Sequence, residues 1–216
     1  MMDSVKLNLG CGYYQIIDGW INLDYMSHYW YRYFLQFPKH LLHAFGWYRN
    51  PTWPDQQKFF RQVINHNILN GIPLSDQRAE FIYASHFLEH FTRDEGLFIL
   101  RECYRVLQSG GTLRLVVPDL ALFIQAYRIP DPGFIRYLAD RYPEFSGIED
   151  GTDALNTIVH AAGHRYIHDF QKLRQMGGAC GFSSIQRKGH ADSRLNELNR
   201  MELLRQENLV VEMLKP

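Results

Sequence analysis

Short apolar segments that end in a glycine turn or an acidic residue recur through the first 120 residues. Residues 5–9 alternate apolar and polar side chains and run into a glycine turn, which predicts a strand. Residues 20–24 predict a second strand that ends in Asp24. The same pattern predicts five more strands, at residues 61–68, 81–84, 112–117, 182–187 and 209–214.

Helical periodicity lies between these strands. Acidic residues at its start and an apolar stripe at spacings of three and four predict a helix over residues 94–107, ended by Gly110-Gly111. A later helix over residues 170–176 is expected to stop at Gly177-Gly178. Two more are predicted at 134–142 and 153–162, and the polar stretch 188–207 is expected to hold a loop and a helix. Strands that alternate with helices predict a parallel sheet covered by helices.

Residues 25–60 interrupt the alternation with a run of aromatic side chains. Thirteen of the 31 aromatic residues lie there, and parts of the segment have helical patterns. Three interpretations remain open: a lid over an active site, a surface that lies on a membrane interface, or ordinary packing or a dimer surface. We expect one domain over residues 1–216, with 25–60 as an inserted lid.

Charge and cysteine content narrow the class of protein. Lys plus Arg and Asp plus Glu each number 23, so the net charge is zero and no basic face for nucleic acid is expected. Three cysteines form an odd, sparse set, which argues against a disulfide scaffold. We find neither the apolar core of a signal peptide nor an integral membrane segment, and expect a cytoplasmic protein.

The turn Gly10-Cys11-Gly12 directly follows the first predicted strand. In an open parallel sheet, glycines at this point let a ligand approach the backbone, and an acid at the end of the next strand can accept hydrogen bonds from two ribose hydroxyls. Asp24 has that position. The simpler alternative is a tight turn that needs glycine for its geometry alone. Together, the turn and the acid indicate a nucleotide-type ligand.

Several segments resemble one family. The matching stretches are Leu-Asn-Leu-Gly-Cys-Gly at 7–12, Trp-Ile-Asn-Leu-Asp at 20–24, Phe-Ile-Tyr-Ala-Ser-His-Phe-Leu-Glu-His at 81–90, and Arg-Val-Leu-Gln-Ser-Gly-Gly-Thr-Leu at 105–113. Their order and spacing are similar to those of class I S-adenosylmethionine-dependent methyltransferases, most closely the type 11 branch. The resemblance implies a Rossmann-like, mostly parallel seven-stranded sheet with helices on both faces, here with a helical aromatic-rich insertion.

The resemblance also implies a site for S-adenosylmethionine. Asp24 would hold the ribose, and Asn67 and Ile68 would flank the adenine. The chain departs from the pattern at Tyr14, where many members have a third glycine, and at Asn67, where an acid is common. The implied cofactor-binding residues are Asn8, Gly10, Gly12, Asp24, Asn67, Ile68 and Ser85.

The implied activity is methyl transfer to a small-molecule or sugar-type acceptor. An oxygen acceptor would also need a base, and the candidate catalytic residues are His86, Asp119 and His164. Asp119 could equally cap the helix that follows it. A second hypothesis is a non-catalytic cofactor-binding module that kept the fold and lost turnover.

A third hypothesis concerns metal. His86, Glu89 and His90 match the inverted zinc-protease pattern His-x-x-Glu-His and would suggest a zinc-dependent hydrolase if they lay on a helix. The methyltransferase resemblance accounts for the same residues without a metal, so no metal is expected. His164 also belongs to a four-residue repeat of histidines that Gly163 interrupts.

Overall fold

The computed structural model describes residues 4–12, 15–25, 61–160, 163–201 and 205–216. Most of the aromatic insertion, residues 26–60, therefore lies outside the described residues. Its proposed roles as a lid, a membrane contact or a dimer surface stay predictions. Within the described part of the chain, no helix is both long and apolar enough to cross a membrane.

Seven strands form one mostly parallel sheet, as the sequence predicted. The sheet order is β3-β2-β1-β4-β5-β7-β6, and β7 runs antiparallel to both of its neighbours. The strands are β1 (Val5–Leu9), β2 (Ile21–Asp24), β3 (Val63–Asn65), β4 (Ala79–Ser85), β5 (Leu107–Pro118), β6 (Ser184–Lys188) and β7 (Asn208–Leu214).

The register aligns the ends of the central strands. Leu9 pairs with Leu23 of β2 and with Ala84 of β4, and Ala84 in turn pairs with Leu115 of β5. The chain turns to one side of β1 for β2 and β3, and to the other for β4 and β5. Ligands of open parallel sheets bind beyond the carboxyl ends of the strands at such a switch point.

Helices cover the sheet and extend beyond it. They are α1 (Arg93–Val106), α2 (Leu120–Arg128), α3 (Pro132–Arg141), α4 (Gly151–His160), α5 (Phe170–Ala179) and α6 (Asn196–Met201). Short 3₁₀ turns span Ile68–Asn70, Leu88–His90 and Pro143–Phe145. Helix α1 begins with a reciprocal capping box between Thr92 and Glu95, which determines where this helix starts after β4.

The core lies on both faces of the sheet. Along β4, Ile82 and Ala84 belong to the cluster that contains α1 and α5 side chains, whereas Phe81 and Tyr83 belong to the cluster on the opposite face. Alternate residues of a strand point to opposite faces, so residues 81–84 of β4 are apolar on both faces of the sheet. A third cluster joins α2, α3 and α4 through Phe123, Ile135, Leu138, Phe145, Ala154 and Ile158.

Three predicted boundaries were wrong, the first because of a local turn and the other two because of tertiary contacts. The third strand covers only Val63–Asn65, since a 3₁₀ turn starts at Ile68. Gly110 and Gly111 lie inside β5, where their backbones hydrogen-bond to Lys215 beyond β7. Helix α5 continues through Gly177, where a Cβ would lie 2.6 Å from Met213 Sδ. That glycine permits close packing on the sheet instead of ending the helix.

Candidate functional site

The turn after β1 and the end of β2 form one hydrogen-bonded unit, which we call the glycine edge (residues 10–12 and Asp24). Gly10 and Gly12 have φ angles of 66° and 51°, a conformation that side-chain-bearing residues rarely adopt. The amide of Gly12 donates to Asp24 Oδ2 at 2.7 Å, and the amide of Tyr25 donates to Oδ1 at 2.6 Å. Burial raises the pKa of the Asp24 carboxyl, and these two amides oppose the rise.

Asn8 supports this edge from within the sheet. Its side chain is fully buried and donates to Asn22 Oδ1 at 2.9 Å and to the carbonyl of Gln15. Its own Oδ1 is buried without a hydrogen-bond partner among the described residues. Ser85, at the end of β4, is 5% exposed and accepts a long hydrogen bond of 3.5 Å from Gln15 Nε2. Gln15 therefore links the first and fourth strands.

Asn67 and Ile68 lie at the start of the 3₁₀ turn that follows β3. The Asn67 side-chain oxygen accepts from the amide of Leu69 at 3.0 Å and so caps this turn. Ile68 is 6% exposed and packs in the core. A contact between adenine and the Asn67 oxygen would need its second lone pair. The predicted adenine contacts of both residues stay predictions.

Phe87 was not among the predicted site residues. Its ring packs against Gly10 so closely that a Cβ there would lie 2.2 Å from Phe87 Cδ2. At Gly12 a Cβ would meet no atom of the described structure within 4 Å. The close approach at Gly10 is therefore made by the chain itself, and the open space lies above Gly12. Only the fold brings these segments, 77 positions apart, into contact.

A second polar region lies beyond β4 and β5, facing α2, α3 and α4. It is a cavity of about 150 Å³ between the turn Leu88–His90 and the third hydrophobic cluster. We call it the histidine cavity. Its polar lining is formed by His86, Glu89, His90, Glu144, His164, Arg205 and Glu207. Its apolar lining includes Phe123, Leu138, Phe145 and Ile158.

His86 has an unusual backbone and two ordered ring contacts. Its φ angle is 49°, which is rare for a residue other than glycine. Its Nε2 lies 3.3 Å from a guanidinium nitrogen of Arg205, and its Nδ1 lies 3.4 Å from Glu89 Oε1. Because arginine only donates, Nε2 acts as the acceptor and Nδ1 carries the proton that faces Glu89.

Glu89 brings two distant segments together. Its backbone carbonyl accepts from the amides of Arg165 and Tyr166 at 2.8 and 3.2 Å. This contact places His164 beside His90, with ring centroids 5.2 Å apart. The Glu89 side chain is fully buried. Burial pushes the pKa of its carboxyl up, but the adjacent histidines 86 and 90 outweigh that effect and hold the pKa below its usual value.

Asp119 has mainly structural contacts. It is 1% exposed, caps α2 by accepting from the amide of Ala121 at 3.1 Å, and pairs with Arg187 at 2.9 Å. The sequence analysis left two roles open for Asp119, and the structure shows the capping role. A role of Asp119 as a base stays a prediction. Nearby His168 is 1% exposed, and neither ring nitrogen has a partner among the described residues. Burial lowers its pKa to about 4.

The inverted zinc-protease pattern does not lie on an α-helix. His86 precedes a 3₁₀ turn of only three residues, and its amide donates to the carbonyl of Val116 on β5. Glu89 and His90 approach His164 instead, with one ligand atom of each within 4.8 Å of the others. The histidine repeat does not lie on one helix, as predicted, since Gly163 has a φ angle of 75° and His168 forms a β-bridge with Asp119.

The sheet order with an antiparallel β7 is the fold of class I S-adenosylmethionine-dependent methyltransferases. A methyltransferase from Archaeoglobus fulgidus is similar over 99% of this chain and 87% of its own, with 14% identity and a TM-score of 0.54. A possible histamine N-methyltransferase from Thermotoga maritima is similar over 100% and 84%, with 13% identity and a TM-score of 0.51. PigF with SAH is similar over 99% and 50%, with 14% identity and a TM-score of 0.51.

A family model described as a methyltransferase domain, of the type 11 group, matches residues 50–115. No curated protein matches the sequence. The chain spans about half the length of PigF and of the methyltransferase SibL, two of the similar structures. The fold and the family match support a class I S-adenosylmethionine-dependent methyltransferase, as the resemblance predicted.

The glycine edge fits this cofactor. Asp24 offers a carboxylate for ribose hydroxyls, the space above Gly12 is open, and the buried Asn8 oxygen beneath the turn lacks a donor. Acids and orphaned acceptors at this switch point suit a ligand rich in hydroxyl and amino groups.

Proposed function

We propose that the protein transfers a methyl group from S-adenosylmethionine to a small-molecule or sugar-type acceptor. The cofactor would be held at the glycine edge, with Asp24 on the ribose. The observation that carries the proposal is the arrangement of the glycine turn and a partly buried acid at the switch point of this fold. The cofactor supplies an electrophilic methyl group, so the chain mainly has to align the acceptor and exclude water.

The histidine cavity is the proposed acceptor site. Its apolar wall from α2–α4 and its polar floor of histidines and acids suit a partly apolar molecule that carries hydroxyl groups. His164 is the better candidate for accepting the acceptor's proton, because its Nδ1 donates to the carbonyl of Ile158 at 2.7 Å and Nε2 keeps its lone pair. The corresponding nitrogen of His86 is engaged by Arg205.

One observation favours the second candidate, a cofactor-binding module without turnover. The Phe87 ring fills the space against Gly10, one of the residues to which the resemblance assigns cofactor binding. A binding module and an enzyme both predict cofactor binding, so methyl transfer has to be measured separately.

The test is a calorimetric titration with S-adenosylmethionine and with its demethylated product. Losing hydrogen bonds to a charged group, worth about 1.5–3 kcal/mol each, should make Asp24→Ala bind at least about tenfold more weakly than the parent. Asp94→Ala is the matched control, because Asp94 is exposed on α1 and its partner is the neighbouring Arg93. Equal binding by the parent and Asp24→Ala would refute the ribose assignment.

Turnover is then followed with radiolabelled S-adenosylmethionine and a panel of hydroxylated small molecules and saccharides. Label transferred to an acceptor, and lost in Asp24→Ala, supports the enzyme. Tight cofactor binding without transfer to any acceptor supports the binding module.

A further inference from the structure

Glu89, His90 and His164 form a cluster of potential metal ligands at the floor of the histidine cavity. One ligand atom of each residue lies within 4.8 Å of the others. Two backbone hydrogen bonds to the Glu89 carbonyl hold the segment after α4 against the 3₁₀ turn, so the grouping is fixed by the fold. Ligands about 2.1 Å from a metal ion lie about 3.4 Å apart in a tetrahedral site, a distance that modest rotamer changes would reach here.

The Glu89 carboxylate is fully buried, and the groups beside it are imidazoles at a long distance instead of a short ion pair. Its side chain is 0% exposed, and neither oxygen accepts a hydrogen bond of good geometry from the described residues. The nearest cationic candidate, His86 Nδ1, is 3.4 Å away. A buried carboxylate without a strong partner is costly, so such groups are normally paired or coordinate a metal.

The ring of His164 is already oriented as a metal ligand would be. Its Nδ1 donates to the carbonyl of Ile158 at 2.7 Å, which fixes the neutral tautomer with a lone pair on Nε2. Histidines that bind metals commonly donate their other ring nitrogen to a carbonyl or carboxylate in this way. The His90 ring lies beside it, with centroids 5.2 Å apart.

We propose that Glu89, His90 and His164 bind one divalent cation of the zinc or manganese type. Two imidazoles and one carboxylate are a ligand set that leaves coordination positions open. The open positions would face the cavity. If the proposed function holds, they would take an acceptor through its hydroxyl oxygen. His164 would then be a ligand instead of the base, and the metal would lower the pKa of the bound hydroxyl so that solvent water could take its proton. The resemblance predicted no metal, so a measurement of metal binding decides between that expectation and the proposed site.

The first experiment is metal binding by the full chain, purified without a histidine tag and stripped with a chelator. Calorimetric titration with Zn²⁺ alone, and separately with Mn²⁺, should give one equivalent bound for at least one ion. Glu89→Gln and His164→Gln should each weaken that binding at least about 100-fold, since each removes a direct ligand. His160→Gln is the matched control, because His160 is exposed at the end of α4. Absence of stoichiometric binding, or full binding by His164→Gln, would overturn the site.

A second measurement separates a metal site from a hydrogen-bonded acid–histidine network. In the stripped protein, Glu89→Gln removes a buried carboxylate that His86 and His90 stabilise, so its Tm should fall whether or not a metal site exists. Added metal should raise the Tm of the parent and leave that of Glu89→Gln nearly unchanged. A network role alone predicts no effect of metal on the Tm of the parent.

Cofactor binding on the same samples keeps the two proposals apart. Loss of metal binding in His164→Gln with unchanged affinity for S-adenosylmethionine supports a separate metal site. Metal binding by a protein that does not bind the cofactor would refute the methyltransferase proposal and leave the metal site standing.

Discussion

The glycine edge and the histidine cavity both lie beyond the carboxyl ends of the central strands, but their acids are satisfied differently. Asp24 accepts hydrogen bonds from two backbone amides, those of Gly12 in the turn after β1 and of Tyr25 directly after β2. Glu89 is more deeply buried and receives no hydrogen bond of good geometry among the described residues. An acid held by local amides can be positioned by a short motif, whereas the surroundings of Glu89 come from segments that only the fold brings together.

The largest expected effect tests how tightly the glycine edge is packed. Gly10→Ala should lower the free energy of unfolding by about 3 kcal/mol, because its Cβ would meet the Phe87 ring and because φ is positive there. Gly12→Ala, with open space around its Cβ, should cost only about 1 kcal/mol of backbone strain. Urea-induced unfolding measures both. Equal losses would contradict the packing of Phe87, and Phe87→Leu should partly rescue Gly10→Ala.

The next effect concerns the buried histidine near the cavity. The folded pKa of His168 lies near 4, below the ordinary value of 6.5, so the ring is neutral in the folded state. Between pH 6.5 and 4 the unfolded chain binds more protons, and stability therefore falls as the pH falls, by up to about 3 kcal/mol from this group. Above pH 6.5 the group contributes no pH dependence.

His168→Gln should remove that part of the acid sensitivity. The measurement compares the unfolding free energies of parent and variant at pH 7, 5.5 and 4.5. Exposed His160→Gln should keep the parental slope. A parental slope in His168→Gln as well would place the acid sensitivity elsewhere.

A smaller effect tests whether Asp119 serves mainly as the cap of α2. Asp119→Ala should cost about 2 kcal/mol of unfolding free energy, because it removes the cap of α2 and leaves Arg187 without its partner. Asp119→Asn keeps a capping oxygen and loses only an ion pair with a half-exposed arginine, so it should cost well under half as much. Thermal unfolding at pH 7 measures the loss of stability in both variants. Comparable losses would mean that the cap is not the main role.

The smallest effect is expected at Asn67, in the turn after β3. Asn67→Ala removes the cap of a 3₁₀ turn and should cost about 1 kcal/mol or less, whereas Asn67→Asp keeps the capping oxygen. The informative readout is the affinity for S-adenosylmethionine. If both variants bind the cofactor as the parent does, Asn67 has no adenine contact and serves only the turn.

Local pattern was sufficient for most of the sheet and for the glycine edge. Residues 5–9 form β1 as predicted, and the turn and acid that follow are close in sequence and fixed by backbone hydrogen bonds. Helix α1 was found from its own stripe and acidic start, within one residue at each end. Such features depend on the period of the apolar residues and on side chains that hydrogen-bond to backbone groups a few residues away. Both can be recognised in the sequence.

Other features depended on contacts between distant segments. The helix stop predicted at Gly177 failed because close packing against Met213, 36 positions later, requires a glycine inside the helix. The short helix α2 was not predicted, although its cap, Asp119, was noted as one. Its buried residues, Phe123 and Ala126, form too short a stripe to predict a helix by themselves.

The sequence by itself determined the succession of strands along the chain, the glycine turn after β1 and the acid that ends β2. Only the tertiary structure decided that Phe87 fills the space at Gly10, and that Glu89 and His90 meet His164. The physical reason is distance along the chain. A turn is specified by backbone torsions of adjacent residues, whereas the cluster depends on the Glu89 carbonyl binding two amides more than 70 positions away.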